Sequence, residues 1–444
     1  MSRLFGTDGV RGIANDDLSP ELAFKLGEAA SHFLGDKGRG SIVVGMDTRR
    51  SGDMLEAALV AGICSGGSDA VRLGIVPTPA VAYLTRVFGA DGGVVISASH
   101  NPAAYNGIKF FDRDGFKLPD EIEDEIEEFL VSTRGPQRPT GGEVGRSVVV
   151  SDAIERYVAH AVESIRGDLV GLTIAVDCGH GAAAKATVKA LKDLGATVHA
   201  INCDYNGMDI NDGCGSTHLE VISELVRAHD VDLGIAHDGD ADRVLAVDET
   251  GAEVDGDQIM AICAAHMMER GELAHDTVVT TIMSNLGFEA AMRERGINVI
   301  KTKVGDRYVL DQMRTSGAVL GGEQSGHVIF LDHTTTGDGL ITALQLAAIV
   351  RESGVPLSEL RRVMHRFPQV LENVHVADKA RLSSSGAVHD AVKVAEEELG
   401  SRGRVLVRAS GTEPLVRVMV EAADEATARA IVDRISVIVK SELG

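Results

Sequence analysis

The sequence predicts an α/β protein made of three similar α/β/α domains and a smaller α+β C-terminal domain, arranged around one central cleft. A chain of 444 residues is too long for one ordinary core and suits about three or four domains. Strand-like and helix-like apolar patterns alternate as far as Ser353, which is typical of layered α/β domains. In addition, a unit of apolar strand, polar loop and apolar strand occurs four times along the chain.

The first domain is predicted to cover residues 1–150. Leu18 to Leu34 has helical periodicity, and a Ser-Pro pair suits its N-cap and first turn. A strand from Ser41 to Met46 and a helix around Ser51 to Gly62 continue the alternation. Asp120 to Val131 is an acidic amphipathic helix. Residues 132–147 are rich in Gly, Pro and polar residues, which predicts a linker.

The second domain is predicted to cover residues 151–252. Asp152 and Glu155 have the spacing of a capping box before an apolar helical face. Gly179 and Gly181 follow a predicted strand and precede a predicted helix, as in a dinucleotide-binding turn. Because two glycines after a strand are common in α/β proteins, we interpret them as a tight strand-to-helix turn.

The third domain is predicted to cover residues 253–365, and a helix from Gly339 to Ser353 closes it. Its other elements are a strand from Thr277 to Ile282, a helix from Gly287 to Arg295, a strand from Asn298 to Thr302 and a loop from Lys303 to Tyr308. Pro356, Pro368 and the irregular stretch near them predict a hinge. The C-terminal domain, residues 366–444, mixes strands and helices without the pattern of a parallel sheet.

The composition argues against several classes of function. The formal net charge of -23 would repel a nucleic-acid backbone, and the absence of Trp argues against base stacking, so no nucleic-acid partner is expected. The five cysteines are never spaced C-x-x-C, which argues against a zinc site or a disulfide framework and predicts buried, inert thiols. No apolar run suits a membrane span and the start is not leader-like, so we expect a cytoplasmic protein without membrane contact.

The first of the four loops lies between the apolar runs Val94–Ile96 and Ile108–Phe111. Ser99, His100 and Lys109 supply a hydroxyl, an imidazole and an ammonium from this loop and its return strand. No G-x-S-x-G pattern surrounds Ser99, so nothing here indicates acyl transfer. The alternative is a Ser-rich turn without chemistry. We expect the Ser99 hydroxyl to be exposed.

The second loop contains three aspartates, Asp238, Asp240 and Asp242, at alternate positions. An extended backbone would turn all three carboxylates the same way, and each pair would repel by about 4 kcal/mol at about 4 Å and an effective dielectric near 20. A divalent cation removes this repulsion, and a small all-oxygen ligand set favours one Mg²⁺ over Zn²⁺ or Ca²⁺. An EF-hand is disfavoured because Arg243 stands where that loop needs glycine. Exposed turn aspartates are the alternative.

The third loop contains Glu with Ser and His, and the fourth contains Arg with Ser and Thr. Four complementary sets of groups suggest one shared site. Moreover, ISASHNP, DGDADR, GEQSGH and RASGTEP, in this order, resemble the four active-site loops of the alpha-D-phosphohexomutases over the whole chain. The resemblance implies that Ser99 is a phosphoserine whose phosphate completes a Mg²⁺ shell with the three aspartates. The phosphoryl group would pass to the anomeric oxygen of a sugar phosphate, and the resulting 1,6-bisphosphate would rephosphorylate Ser99 from its 6-position.

The resemblance also implies roles for the remaining loop residues. Catalytic roles are expected for Arg11, His100, Lys109 and His327, and either His327 or Lys109 can move the proton. For Arg11, the alternative is an ordinary arginine on an edge strand. Substrate binding is expected from Arg243, Lys303, Glu323, Ser325, Arg408, Ser410, Gly411, Thr412 and Arg417.

Three further stretches bear on the substrate. FGTDGVRG, NDGCGSTH and Gln324 within GEQSGH resemble the branch of the family that acts on an amino-sugar phosphate more than the mannose or glucose branches. We therefore expect glucosamine 6-phosphate as substrate and glucosamine 1,6-bisphosphate as intermediate and activator, in a step that feeds UDP-N-acetylglucosamine and cell-wall synthesis. The alternatives are a mutase for mannose or glucose phosphates and a non-catalytic sugar-phosphate binding protein. The sequence leaves open whether the chain forms a homodimer.

Overall fold

The computed structural model describes residues 4–6, 8–35, 40–132, 138–410 and 414–444. The chain divides into two compact units, one of residues 1–283 and 296–363 and the other of residues 284–295 and 364–444. Among the residues that the structure describes, the first unit contains three β-sheets and the second contains one.

The first sheet has seven strands: β1 (Phe5–Gly6), β2 (Gly9–Ile13), β3 (Ser41–Met46), β4 (Asp69–Ile75), β5 (Gly92–Ile96), β6 (Tyr105–Asp112) and β7 (Ser147–Val149). Their spatial order is β1-β2-β6-β5-β3-β4-β7. The helices of this region are α1 (Pro20–Phe33), α2 (Gly52–Gly66), α3 (Thr78–Val87) and α4 (Asp120–Val131). Apolar residues of the central strands pack against α1 and α2, with Leu26 and Leu59 among the fully buried side chains.

The second sheet has five strands: β8 (Thr173–Asp177), β9 (Thr197–Ile201), β10 (Leu233–His237), β11 (Val244–Asp248) and β12 (Glu253–Val254). Their spatial order is β12-β11-β10-β8-β9. The helices of this region are α5 (Ala153–Val162), α6 (Ala183–Asp193) and α7 (Leu219–Ala228). The apolar face of α7, with Ile222 and Val226, packs on this sheet.

The third sheet has four strands: β13 (Thr277–Thr281), β14 (Asn298–Thr302), β15 (Leu320–Gly322) and β16 (Val328–Phe330). Their spatial order is β14-β13-β15-β16. The helices of this stretch of chain are α8 (Gly256–Glu269), α9 (Leu286–Glu294), α10 (Asp306–Ser316), α11 (Gly339–Ser353) and α12 (Leu357–Leu360). Of these, α9 belongs to the second unit.

The three sheets repeat one arrangement of four consecutive strands. The sets are β3 to β6, β8 to β11 and β13 to β16. In each set the first strand lies between the second and third as a parallel neighbour, and the fourth pairs antiparallel with the third. The first three polar loops of the sequence therefore join equivalent strands. Loops at the carboxyl ends of parallel strands are the usual place for a site in such folds.

The second unit is built on a three-stranded antiparallel sheet of β17 (Gln369–His375), β18 (Arg404–Ala409) and β19 (Leu415–Glu421), in the order β17-β19-β18. Helices α13 (Gly386–Leu399) and α14 (Glu425–Leu443) pack against it around an apolar core that includes Val418 and Ile435. The fourth polar loop joins β18 to β19. The recurring strand, loop and strand unit is thus an antiparallel strand pair in all four cases.

Two local predictions are wrong. The Asp152 side chain makes no capping hydrogen bond, and it accepts one from Arg156 Nε at 2.9 Å. The capping box occurs at the start of α8, between Asp255 and Gln258. The predicted loop from Lys303 to Tyr308 ends early, since α10 begins at Asp306.

The five cysteines are all free, as predicted. Cys178, Cys214 and Cys263 are buried, but Cys64 and Cys203 are partly exposed, so the prediction of buried thiols holds for three of them. Within the described residues, no single helix has both the length and the apolar composition to cross a membrane. The bent pair Gly339–Ser353 and Leu357–Val363 meets those two criteria jointly.

Candidate active site

The serine loop, residues 97–104, joins β5 to β6 and holds Ser99 with φ +52°. This left-handed backbone is uncommon for a residue with a side chain and indicates a fixed conformation. Ser99 Oγ donates to Asp238 Oδ2 at 2.6 Å, and the Ser99 N–H donates to Ser97 Oγ at 2.9 Å. Ser99 is 0% exposed, so the expectation of an exposed hydroxyl is wrong. The loop that carries Asp238 covers it.

A buried arginine that the sequence analysis missed fixes the serine loop. Arg49 lies just after β3 and is 2% exposed. Its guanidinium donates, at 2.5 to 3.1 Å, to the carbonyl oxygens of Ser99, Asn101, Pro102 and Tyr105. The backbone of the serine loop therefore rests on one rigid cationic group.

Two other buried groups complete this support. Asp47 Oδ2 accepts from Arg49 Nε at 2.9 Å and from Ser97 Oγ at 2.6 Å, although burial raises the pKa of Asp47. Asn211 Nδ2 donates to the carbonyl oxygen of Ser99 at 2.9 Å. Asn211 begins the NDGCGSTH stretch, so this stretch contacts the serine loop from the region of the second sheet.

The aspartate loop, residues 238–243, joins β10 to β11. It is a turn, with φ +56° at Ala241, and not the extended backbone that we predicted. The turn nevertheless brings the carboxylates of Asp238, Asp240 and Asp242 together, all buried and with one oxygen of each within 4.8 Å of the others.

The unpaired oxygens of this loop fit a metal ion. Asp240 Oδ2 accepts from Thr78 Oγ1 at 2.6 Å and from Lys109 Nζ at 2.9 Å. By contrast, Asp240 Oδ1 and Asp242 Oδ1 are buried without a hydrogen-bond partner among the described residues. Buried carboxylate oxygens rarely lack partners, and an all-oxygen set of this kind suits a hard divalent cation.

The pKa values of two aspartates move in opposite directions. Burial, Asp242 and Asp240 raise the pKa of Asp238 well above its ordinary value. Burial acts on Asp242 too, but Lys109, His327 and Arg243 outweigh it and hold the pKa of Asp242 well below its ordinary value. The surrounding cations thus stabilise the charged form of Asp242, whereas the charged form of Asp238 would be stabilised by further positive charge nearby.

A ring of alternating charge lies beside the aspartate loop. This charge ring consists, in order, of Lys109, Asp8, Lys117, Asp306, His327 and Asp242, with His327 charged when protonated. Lys109 Nζ lies 3.2 Å from Asp8 Oδ2 and 3.7 Å from Asp242 Oδ2. The sequence analysis missed Asp8, Lys117 and Asp306, whose partners are remote in the chain.

The carboxylates of the charge ring favour the protonated forms of Lys109 and His327. Burial alone would lower the pKa of Lys109, but Asp240, Asp8 and Asp242 raise it, so Lys109 is a fixed positive charge and not a proton acceptor. Burial would also lower the pKa of His327, but Asp242 and Asp306 raise it. When neutral, His327 accepts from the Gly337 N–H at Nε2, 3.1 Å away, and its proton then lies on Nδ1.

Arg11, His100 and Arg243 border the same group of side chains. Arg11, on β2, pairs with Asp8, and Arg243 lies with Nε 3.8 Å from Asp242 Oδ1. His100 Nδ1 is 3.4 Å from Ser99 Oγ. Burial, Arg243 and Arg11 lower the pKa of His100 to about 4. His100 is therefore a neutral imidazole near neutral pH.

The third loop contacts the backbone at the start of β11, directly after the aspartate loop. The Val244 N–H donates to the Gly326 carbonyl at 3.0 Å. A Cβ on Gly326 would lie 2.2 Å from the Val244 carbonyl oxygen, so only glycine allows this approach. Glu323 is partly exposed and accepts from the Gly305 N–H at 3.1 Å, whereas Ser325 is exposed.

Lys303 stands apart from these groups. It is exposed, with its ammonium 6.0 Å from the centre of the Tyr308 ring. Ser99, His100, Lys109, Arg11, His327, the three aspartates and Arg243 are linked by the contacts described above. For Lys303 and Ser325 the described contacts provide no such link, and their predicted roles stay predictions.

The fourth loop belongs to the second unit. Arg408 on β18 lies directly across from Arg417 on β19. Burial and the neighbouring Arg417 lower the pKa of Arg408. Ser410 is buried, and its carbonyl accepts from Lys379 Nζ at 2.7 Å. Gly411 and Thr412, also predicted to bind substrate, lie outside the described residues. Two arginines held side by side attract an anion.

A buried hydroxyl next to clustered carboxylates and fixed cations is typical of enzymes that transfer phosphoryl groups, where positioning and charge neutralisation supply most of the catalysis. The family comparison agrees with this class. Models of the phosphoglucomutase/phosphomannomutase family match α/β/α domain I at residues 2–134, domain II at 152–251, domain III at 255–367 and the C-terminal domain at 371–437. The chain belongs to this family.

Individual relatives narrow the comparison. The chain is 55% identical over 441 residues to a phosphoglucosamine mutase of Desulforamulus reducens, with 99% of each chain covered. Its fold is similar to that of a Burkholderia thailandensis phosphoglucomutase/phosphomannomutase family protein, with a TM-score of 0.84, 25% identity and coverage of 100% and 98%. It is also similar in fold to Aspergillus fumigatus N-acetylphosphoglucosamine mutase in complex with GlcNAc-6P and magnesium, with a TM-score of 0.69, 19% identity and coverage of 99% and 96%.

Proposed function

We propose that the protein is a mutase that interconverts glucosamine 6-phosphate and glucosamine 1-phosphate, with Ser99 as the carrier of the phosphoryl group. The observation that carries the proposal is the buried contact of 2.6 Å between Ser99 Oγ and Asp238, within a cluster of three carboxylates. The relative named phosphoglucosamine mutase, similar along the full chain, supports the amino-sugar substrate.

The reaction uses Ser99 twice. The phosphoryl group on Ser99 Oγ passes to the anomeric oxygen of glucosamine 6-phosphate, which gives glucosamine 1,6-bisphosphate and free Ser99. The Ser99 oxygen then takes the phosphoryl group from the 6-position, which releases glucosamine 1-phosphate. Both transfers conserve phosphate, and in each the proton that leaves the attacking hydroxyl is replaced by one delivered to the leaving oxygen, so that the Ser99 hydroxyl is regenerated in the first and the 6-hydroxyl of the sugar in the second. The bisphosphate must exchange its two ends within the site between these steps.

The aspartate loop is the proposed Mg²⁺ site. Asp238, Asp240 and Asp242 supply carboxylate oxygens, two of which lack hydrogen bonds among the described residues. Bound there, one Mg²⁺ would neutralise charge on a phosphate at Ser99. A solved relative of similar fold was obtained with magnesium. The raised pKa of Asp238 agrees with a loop that is completed by added positive charge.

The side chains of the chain itself position and neutralise the moving group. Lys109 and Arg243 are fixed cations beside Asp240 and Asp242, so they stabilise the equatorial oxygens of a phosphoryl group that leaves Ser99. Arg49 holds the backbone of Ser99 in place, which orients Oγ for in-line transfer. His100, neutral near pH 7 and 3.4 Å from Ser99 Oγ, is the proposed proton acceptor beside the nucleophile.

The proposed sugar and phosphate contacts lie on the other two loops. Glu323 accepts only one described hydrogen bond, from Gly305, and is partly exposed, so a carboxylate oxygen remains available for the amino group of the substrate. In the second unit, the Arg408 and Arg417 pair suits the phosphate that is not reacting. Gly411, Thr412, Ser325 and Lys303 complete the proposed substrate-binding set.

The test of this proposal is a comparison of kcat/KM for the 6-phosphates of glucosamine, mannose and glucose under one set of conditions. A charge-assisted hydrogen bond to the amino group contributes about 1.5–3 kcal/mol, so we expect a preference for glucosamine of about one to two orders of magnitude. Glu323→Gln should reduce this preference, whereas the exposed control Glu269→Gln should not. Equal rates, or a preference for mannose, would favour the mannose and glucose branches instead.

A non-catalytic sugar-phosphate binding protein would show tight binding without turnover after Ser99 is phosphorylated. Several expectations stay predictions: the domain boundaries near residues 150, 252 and 365, a cytoplasmic location, a homodimer and a supply role for UDP-N-acetylglucosamine and the cell wall.

A further inference from the structure

Two cysteine sulfurs lie together at the ends of neighbouring strands. Cys178 follows β8 and Cys203 follows β9, two parallel strands of the second sheet. The strands continue side by side beyond their ends, because the Cys178 N–H donates to the Ile201 carbonyl at 3.2 Å and the His180 N–H donates to the Asn202 carbonyl at 2.7 Å. The two Sγ atoms are 3.5 Å apart.

The two thiols differ in exposure and in the direction of their pKa shifts. Cys203 is partly exposed, and its hydrogen bond with Cys178 lowers the pKa of its thiol. Cys178 is 0% exposed, and the same hydrogen bond together with burial raises the pKa of its thiol. An accessible thiol that ionises readily attacks an external disulfide, and a neighbouring buried thiol can resolve the product.

We propose that Cys178 and Cys203 form a site of reversible oxidation, at which a small-molecule disulfide closes an intramolecular disulfide bond and slows the mutase. The Cys203 thiolate attacks one sulfur of the external disulfide, forms a mixed disulfide and releases one thiolate. Cys178 then loses its proton and attacks Cys203 Sγ, which releases the second external thiol. Two protein thiols and one external disulfide give one protein disulfide and two external thiols.

The turn after Cys178 connects this site to the aspartate loop. The Ala182 N–H donates to the Gly239 carbonyl at 2.9 Å. A Cβ on Gly181 would lie 2.4 Å from the same carbonyl oxygen, so the turn and the aspartate loop are in close backbone contact. This contact is also the structural reason for the glycine at position 181, and it agrees with the interpretation of this stretch as a tight strand-to-helix turn.

The same turn also supports the serine loop. The Asn211 N–H donates to the Gly179 carbonyl at 3.0 Å, and Asn211 Nδ2 donates to the Ser99 carbonyl at 2.9 Å. Thr48 Oγ1 donates to the His180 carbonyl at 2.6 Å. A displacement of residues 178–181 therefore reaches both the aspartate loop and the serine loop by direct contacts.

Closure of the bond requires such a displacement. A disulfide has its sulfurs about 2.05 Å apart, so the two Sγ atoms must approach each other from their present 3.5 Å. A misplacement of catalytic groups by about 1 Å can lower a rate about a hundredfold. We therefore expect oxidation to reduce kcat by about tenfold to a hundredfold, and a dithiol reductant to restore it.

The experiment treats the reduced full-length protein with glutathione disulfide and follows it by two measurements. Peptide mass spectrometry without reduction should detect Cys178 and Cys203 in one cross-linked species that has lost two hydrogen atoms. Mutase activity should fall in parallel and recover with dithiothreitol. Cys203→Ser should resist inactivation, whereas Cys64→Ser, the matched control at another partly exposed cysteine, should be inactivated like the unsubstituted protein.

Three outcomes would overturn the proposal. These are a stable glutathione adduct on Cys203 without the cross-link, inactivation that persists in Cys203→Ser, and a complete cross-link with unchanged kcat. The cross-link is detected by mass, independently of any sugar phosphate. A failure of this proposal is therefore distinguishable from a failure of the proposed mutase activity.

Discussion

The substitution Arg49→Lys keeps the positive charge of Arg49 but removes the planar guanidinium and its five hydrogen-bond donors. The arginine side chain makes five hydrogen bonds: three to carbonyls of the serine loop, one to the carbonyl of Tyr105 at the start of β6, and one to Asp47. A lysine ammonium has three donors, so at least two of these five hydrogen bonds are lost. Each hydrogen bond to a charged group contributes about 1.5–3 kcal/mol, which predicts a loss of about 3–6 kcal/mol in unfolding free energy.

The same substitution should also lower the catalytic rate. The Ser99 carbonyl and its left-handed backbone depend on the guanidinium, and a shift of Ser99 by about 1 Å is expected to lower kcat about a hundredfold. Urea unfolding and steady-state kinetics measure the two effects, with Arg50→Lys as the control because Arg50 is exposed. A stability within about 1 kcal/mol of the parent protein, together with a kcat within about threefold, would refute this account of the serine loop.

Two further predictions concern the carboxylates. Asp242→Asn should weaken Mg²⁺ binding and lower activity, as measured by titration calorimetry and kinetics. The exposed control Asp311→Asn should change neither. Activity that survives exhaustive chelation would contradict the proposed metal site. Burial raises the pKa of Asp338 to about 6 from its ordinary 3.8, so the folded protein binds a proton at Asp338 more tightly than the unfolded chain does. The folded protein therefore loses about 3 kcal/mol of stability as the pH rises from about 4 to about 6. Asp338→Asn, which keeps the α11 cap, should remove this loss in urea unfolding across that window, and parallel pH profiles would contradict the assignment.

The sequence predicted the four strand pairs because each has two apolar runs around a polar loop, and this pattern depends only on neighbouring residues. It also predicted that Asp238, Asp240 and Asp242 would cluster. The assumed extended backbone was wrong, because the left-handed Ala241 makes the loop a turn, but the turn also brings the three carboxylates together.

The support of the site was less accessible to sequence reasoning. Arg49 lies 50 positions before Ser99, whose carbonyl it binds, and Lys117 lies 189 positions before its partner Asp306. No local spacing therefore reveals either contact. The burial of Ser99 depends on the aspartate loop, 139 positions further along the chain. Such contacts follow from the packing of the repeated sheets, which a pattern of apolar residues does not specify.

A single-turnover experiment can show whether Ser99 carries the phosphoryl group. The phosphorylated protein is mixed with an equal amount of glucosamine 6-phosphate and Mg²⁺, and intact-mass and peptide spectra are recorded with time. We expect one phosphoryl group to be lost from Ser99 as glucosamine 1,6-bisphosphate forms, and Ser99→Ala to carry no such group and to have no turnover. A phosphoryl group on another residue, or turnover by Ser99→Ala supplied with the bisphosphate, would show that Ser99 is not the carrier.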